Sequence, residues 1–396
     1  MIAENMKEEV QKNSTVRQMF EEGRRRAKLY GEDKVFDFSL GNPSVPAPEE
    51  INREIIRLVQ ESDSLKLHGY MSNAGYEDVR KQVADSLNRR FDTHFTENNI
   101  IMTTGAAGAI NIIFKTLLNP EEEVIIFAPY FMEYRAYVKN HKAVPVIVPP
   151  DTETFQPNLE AFEKAITPRT KALLLNSPNN PTGVVYSEET IIKIAGILKQ
   201  KQEEFGTEIY IVSDEPYREL VYDDVKVPFV TRYYDNTAVC YSFSKSLSLP
   251  GERIGYLVIP NEFCDYEQVF AAASIAIRIM GYMNAPSLMQ KVIGNCIDLE
   301  TDIEVYDRNR KILYNGLKEL GFECVKPEGA FYLFMKSPME SDFEFAEKAK
   351  EHNILIVPGT SFTCPGYLRI SYCVSEATIR NSLIEFKKLA QELNLI

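Results

Sequence analysis

Between residues 99 and 259, short apolar runs alternate with longer stretches of helical periodicity. The runs cover 99–103, 124–127, 144–148, 171–175, 209–212, 237–241 and 254–259. Several are apolar at nearly every position, the pattern of parallel strands buried under helices on both faces. Helical stretches near 107–118, 132–140, 158–166 and 187–205 separate them. This rhythm predicts an α/β fold: a large domain with a mostly parallel, seven-stranded, doubly wound sheet covered by helices. Ahead of it, residues 1–34 read as a polar helix whose run Glu21-Glu22-Gly23-Arg24-Arg25-Arg26 suits a solvated face. Residues 35–40 alternate like a strand, and the proline-rich stretch 41–48 reads as an extended crossing segment. Helical periodicity returns over 49–62 and again over 76–91. Past residue 285 the alternation stops, and one long helix is expected through about residue 319, then short strands and helices to Ile396. The expected division is a large domain over 49–285 and a smaller α+β domain over 286–396, joined by the N-terminal segment 1–48.

Composition narrows the function classes. A chain of 396 residues exceeds one ordinary core, in keeping with two domains. A net charge of −13 argues against nucleic acid or an anionic membrane as partner. Six cysteines lie scattered without a CxxC pair and four histidines stand far apart, so neither a disulfide scaffold nor a metal site is expected. The N-terminus lacks the apolar core of a signal peptide. The longest apolar region, 269–277, is closed by Arg278 and is too short to span a bilayer. A cytoplasmic protein is expected.

Candidate chemistry gathers where strands end, the place at which open α/β sheets bind ligands. After 237–241 comes Ser242-Phe243-Ser244-Lys245-Ser246, with Arg253 eight residues beyond Lys245. Hydroxyls and a guanidinium suit an anion, and the amine beside them is a candidate nucleophile able to form a Schiff base. A solvated loop is the plain alternative. Thr103-Thr104-Gly105-Ala106-Ala107-Gly108 opens a helix whose free N–H groups suit a phosphate, unless its small residues serve packing alone. Asn179-Asn180-Pro181-Thr182-Gly183 is either a rigid turn or a source of ligand-facing amides. Asp214-Glu215-Pro216-Tyr217 puts a carboxylate at an apolar strand end, costly without a cation, though an N-cap aspartate reads the same way. Pro129-Tyr130-Phe131 offers an aromatic face, or simply core. Phosphate site, amine, carboxylate, amides and aromatic plate together suit pyridoxal phosphate.

Taken in order, these motifs resemble those of the fold-type I pyridoxal-phosphate enzymes, specifically the class I/II aminotransferases related to aspartate aminotransferase, over nearly the whole chain. The resemblance implies that Lys245 is the Schiff-base lysine and proton shuttle, with Asp214 the partner of the pyridine nitrogen. It implies that Asn180 and Tyr217 donate to the ring hydroxyl oxygen, and that Ser242, Ser244 and Arg253 bind phosphate with the turn Gly105, Ala106 and Ala107. Phe131 takes the ring-stacking position, Gly41 a backbone contact near the substrate, and Arg369 the grip on the substrate α-carboxylate. Tyr70 matches a tyrosine that reaches the phosphate from the other subunit, implying a homodimer. Arg278 lies about where dicarboxylate-specific relatives place a second arginine, although a surface arginine reads equally well. Two departures stand out: alanines replace hydroxyl residues in the phosphate turn, and phenylalanine replaces the usual tryptophan. The implied reaction is amino transfer between an amino acid, aspartate or another common one, and a 2-oxo acid. A carbon–sulfur β-lyase of the same fold is the alternative, because it would share every motif. A cofactor-sensing regulator would need an appended DNA-binding segment that residues 1–34 are too short to supply, and a carbohydrate aminotransferase would leave Arg369 without a carboxylate.

Overall fold

The computed structural model describes residues 2, 3, 6, 7, 10 and 15–396; the rest of the helix expected over 1–34 lies outside the described residues. The chain enters a smaller unit first, through a helix, Thr15–Tyr30, and a short strand β1 (Phe36–Asp37). It then builds a larger unit, Val45–Asn179 with Val185–Thr301, and returns to the smaller one for Asn180–Val184 and Asp302–Ile396.

The larger unit carries β2 (Ile100–Thr103), β3 (Glu123–Phe127), β4 (Val144–Val148), β5 (Thr170–Asn176), β6 (Tyr210–Asp214), β7 (Thr237–Ser242) and β8 (Gly255–Val258). They form one seven-stranded sheet in the order β2-β8-β7-β6-β5-β3-β4. All pairings are parallel except those of β8, which runs antiparallel to both neighbours. Successive side chains point to opposite faces. Ile101, Leu257, Cys240, Val212 and Leu174 pack into one core with helices Gly105–Leu117 and Tyr266–Ile279. Met102, Tyr256 and Tyr241 pack into a second core with helices Glu77–Phe91 and Ser287–Cys296. Burial on both faces is why these strands are apolar throughout.

The single helix expected to run through about residue 319 is two: Ser287–Cys296 and Glu304–Glu319. Polar groups force the break. The Asp298 carboxylate accepts from Ser86 Oγ (2.6 Å) and Arg89 Nη2 (2.5 Å), which holds residues after Cys296 against the helix Glu77–Phe91. Asp302 Oδ1 then accepts from Glu304 N at 3.0 Å, just before the next helix begins. Helix Ser287–Cys296 packs on helices Glu49–Glu61 and Glu77–Phe91, so the two units divide at Asp302 and not at 286.

In the smaller unit, β1 pairs in parallel with β10 (Ile354–Leu355), while β9 (Tyr332–Lys336), β11 (Val357–Pro358) and β12 (Tyr367–Ser371) form an antiparallel sheet in the order β11-β12-β9. The segment Asn180–Val184 is clasped there, its Gly183 carbonyl accepting from Glu328 N and Gly329 N at 2.8 Å each. Among the described residues no helix is long and apolar enough to cross a membrane.

Candidate active site

Three strands of the larger unit set one corner of the site. Thr103, Gly255 and Ser242 stand in register across β2, β8 and β7. Beyond this row the chain turns at Gly105, with φ +80°, into the helix Gly105–Leu117. A Cβ on Gly105 would lie 2.9 Å from Arg253 Nη2 and 3.3 Å from Ser242 Oγ, so only glycine leaves this cradle open. Ser242 Oγ donates to Ser244 Oγ (2.8 Å) and accepts from Ser244 N (3.2 Å), starting the one-turn helix Phe243–Ser246 that carries Lys245. Arg253 itself sits at φ +52°, a conformation that costs energy for an arginine. Its guanidinium donates to Thr104 O (3.1 Å), Pro250 O (2.9 Å) and Ser244 Oγ (3.4 Å). Among the described residues Arg253 makes no ion pair. Its charge, two hydroxyls and a helix N-terminus are the groups a phosphate would need. Ala106 and Ala107 occupy the first turn of that helix and contribute backbone only.

Asp214 closes β6, and Lys245 follows the end of the adjacent strand β7. Asp214 is 6% exposed, and burial pushes its carboxyl up to about 7. Oδ2 accepts from the Tyr134 hydroxyl, whereas Oδ1 is buried without a hydrogen-bond partner. The neighbouring Glu215 is also buried, but Arg218 and Ser213 Oγ neutralise and bond it. The structure therefore separates two adjacent carboxylates: Glu215 is satisfied internally, and Asp214 presents an oxygen that fits a ring N–H. Asn176 Nδ2 donates to Asp214 O at 2.9 Å and fixes the strand end. Phe131 is half-buried and meets the Tyr134 ring edge-on, centroids 5.6 Å apart. Tyr217 is buried three residues past Asp214.

The smaller unit brings together Arg369, Asn180 and Gly41. Arg369 is 3% exposed; its Nη1 donates to Asn180 Oδ1 at 3.1 Å and its Nη2 to Ser39 O at 2.6 Å. The guanidinium lies between the rings of Tyr332 and Phe362, 4.7 Å from each centroid. A Cβ at Gly41 would overlap the Tyr332 hydroxyl. In the larger unit Tyr70 is 91% exposed, and Arg278 is exposed in the last turn of the helix Tyr266–Ile279.

Tyr134, Ser39, Thr104, Tyr332 and Phe362 escaped the sequence reading. Tyr134 carried a usable signal, one turn after Phe131 at the start of an expected helix. The others act through backbone carbonyls or ring faces, which no motif marks.

The family model for aminotransferase class I and II matches residues 33–384. The chain belongs to that family. It is thus a pyridoxal 5′-phosphate-dependent aminotransferase, and the phosphate seat and the open oxygen of Asp214 fit that cofactor. Among curated relatives, a probable N-acetyl-LL-diaminopimelate aminotransferase of Bacillus subtilis is 32% identical over 89% of this chain and 88% of its own. Among solved structures, an aminotransferase from Eubacterium rectale superposes with a TM-score of 0.97 at 48% identity, covering 100% of this chain and 99% of that one. The aspartate aminotransferase of Thermus thermophilus, solved with maleate, gives 0.86 at 28% identity, with 98% and 100% covered.

Proposed function

We propose that this aminotransferase acts on an α-amino acid through Lys245, Asp214 and Arg369. Pyridoxal phosphate, when bound, supplies an aldehyde that condenses with amines and a ring that accepts the electron pair left at the substrate Cα. The observation that carries the reading is Asp214: a buried carboxyl with one oxygen lacking a hydrogen bond, at the end of β6 beside β7, the strand that leads into the one-turn helix of Lys245. As an anion it holds a proton on the ring nitrogen. Lys245 Nζ, the Schiff-base amine in this reading, would take up the proton lost from the substrate Cα and give it back in the next step. Asn180 and Tyr217 would hold the ring hydroxyl oxygen of the bound cofactor, and Phe131 would stack on its ring. Gly105, Ala106, Ala107, Ser242, Ser244 and Arg253 hold the phosphate. Arg369 grips the α-carboxylate, with Gly41 and Asn180 beside it. Amino-group transfer, rather than carbon–sulfur β-elimination on the same motifs, is what the family description supports.

The active form in this reading is a homodimer, with Tyr70 crossing to the partner's phosphate. Its 91% exposure, near Leu65 at 87%, supports a covered surface. Arg278, exposed in the last turn of the helix Tyr266–Ile279, receives the second carboxylate of a dicarboxylic substrate. A cytoplasmic setting is consistent with six cysteines that form no disulfide. The test is a spectral titration of the loaded protein with single amino acids. Aspartate should convert the cofactor faster than alanine, and Arg278→Ala should lose that preference about tenfold or more. No conversion by any amino acid would refute the function, and an unchanged preference would remove Arg278 from it.

A further inference from the structure

The grip of Arg369 depends on a chain of contacts inside the smaller unit that starts at the N-terminal helix. Asp37, at the end of β1, is half-buried, and its Oδ1 accepts two hydrogen bonds from Ser39, from N at 2.9 Å and from Oγ at 2.6 Å. This turn, closed by a side chain two residues back, fixes the backbone of Ser39. The segment is pinned further by Phe38, whose N donates to Leu355 O (2.9 Å) and whose O accepts from Ser371 N (3.0 Å). The Ser39 carbonyl is thereby aimed at Arg369 Nη2, 2.6 Å away, while Ser39 itself is fully buried.

The other carboxylate oxygen faces the helix Thr15–Tyr30. A Cβ on Gly23 would lie 2.5 Å from Asp37 Oδ2 and 3.0 Å from Asp37 Cγ. Glycine inside a helix is unfavourable on its own account. Here it lets the helix backbone close against the carboxylate. Arg26, one turn on, ties the same helix to Lys350 O and, at 3.0 Å, to Asn353 Oδ1. Burial raises the Asp37 carboxyl above the ordinary range, opposed by the two Ser39 bonds.

We infer that Asp37 is a positioning residue for substrate-carboxylate recognition: through Ser39 it orients Arg369, and the N-terminal helix holds it there by the bare backbone of Gly23. A carboxylate that turned away would free the Ser39 carbonyl and let the guanidinium swing off its line. Asparagine keeps an acceptor oxygen at the same place; alanine does not. Gly23→Ala leaves Asp37 intact but forces its carboxylate aside. The inference rests on the reading of Arg369 as the α-carboxylate site.

The test uses the loaded full-length protein and single-turnover conversion of the cofactor. The probes are whichever of alanine, aspartate, glutamate and phenylalanine reacts fastest, and the amine that this amino acid would leave on losing its α-carboxyl group. Loss of one bond to a charged group corresponds to about a tenfold change. Asp37→Ala and Gly23→Ala should each raise the half-saturating concentration of the amino acid about tenfold, with the limiting rate within about threefold and the amine's rate within about twofold. Asp37→Asn should restore saturation to within about threefold of the parent. Unchanged saturation, or equal losses for amino acid and amine, would overturn the inference. Should Asp37→Ala fail to fold, Gly23→Ala decides by the same criteria. Arg369→Ala separates the two claims: if it keeps the preference for the amino acid over the amine, the reading of Arg369 fails; if it loses that preference while Asp37→Ala and Gly23→Ala do not, only the role of Asp37 fails.

Discussion

At the scale of single residues, the cofactor pocket is held in tension with stability. Burial pushes the Asp214 carboxyl up to about 7, from about 3.8 for a free one, because it removes hydration and only Tyr134 compensates, on one oxygen. The sign follows directly. Below about pH 4 the group is protonated folded or unfolded and costs little; between about 4 and 7 only the folded protein still holds the proton, so the cost grows across that window and levels off above 7. The penalty at pH 8 is on the order of 4 kcal/mol for the cofactor-free protein. Asp214→Asn should therefore abolish turnover yet raise the thermal stability of the cofactor-free form at pH 8, with the gain shrinking by pH 5. Melting curves at the two pH values check this, and a uniform loss of stability would count against the assignment. Lys245 and Asp214 were marked in the sequence because a polar residue at the end of an apolar run stands out, and the structure puts both at or just past strand ends. Tyr134 was not, since a buried tyrosine in a helix reads as core until its hydroxyl is seen on Asp214.

Elements place these residues, and here the sequence was informative in one respect and silent in another. Each apolar run between 99 and 259 became a strand, because burial on both faces leaves no room for polar positions. Their order was hidden. Nothing local tells that β8 turns back antiparallel between β2 and β7, yet that insertion sets Thr103, Gly255 and Ser242 in a row and brings Arg253 to Gly105. The helix break after Cys296 was hidden too, since it hangs on Ser86 and Arg89, some two hundred residues away. The cradle gives an element-level prediction. Gly105→Ala combines a left-handed φ with a Cβ directed at Arg253, so it should weaken phosphate binding at least about tenfold and destabilise the helix start by roughly 1–2 kcal/mol. Equilibrium dialysis of pyridoxal phosphate and thermal melts read the two effects separately.

At the scale of the whole molecule, the account requires more than one chain. Tyr70 is 91% exposed, and in the proposed reading it acts on the partner's site. Lys245→Ala and Tyr70→Phe homodimers should both be impaired, the first about 10⁴-fold and the second more mildly. Refolded together, they should regain activity, because a hybrid dimer carries one site with Lys245 intact and an unaltered Tyr70 supplied in trans. If activity only averaged the two parents, Tyr70 would act within its own chain or not at all. The match over residues 33–384 covers both units, and the likeness extends through the helix Thr15–Tyr30 in the Eubacterium rectale enzyme, which covers 100% of this chain.

All of these roles depend on Lys245 being the amine that holds the cofactor's aldehyde. The most direct measurement is borohydride reduction of the protein supplied with pyridoxal phosphate, then peptide mass mapping. The account predicts one added cofactor mass per chain, on the peptide containing Lys245, and none on Lys245→Ala. Label on a different lysine, or an unlabelled protein that stays colourless with the cofactor present, would contradict it.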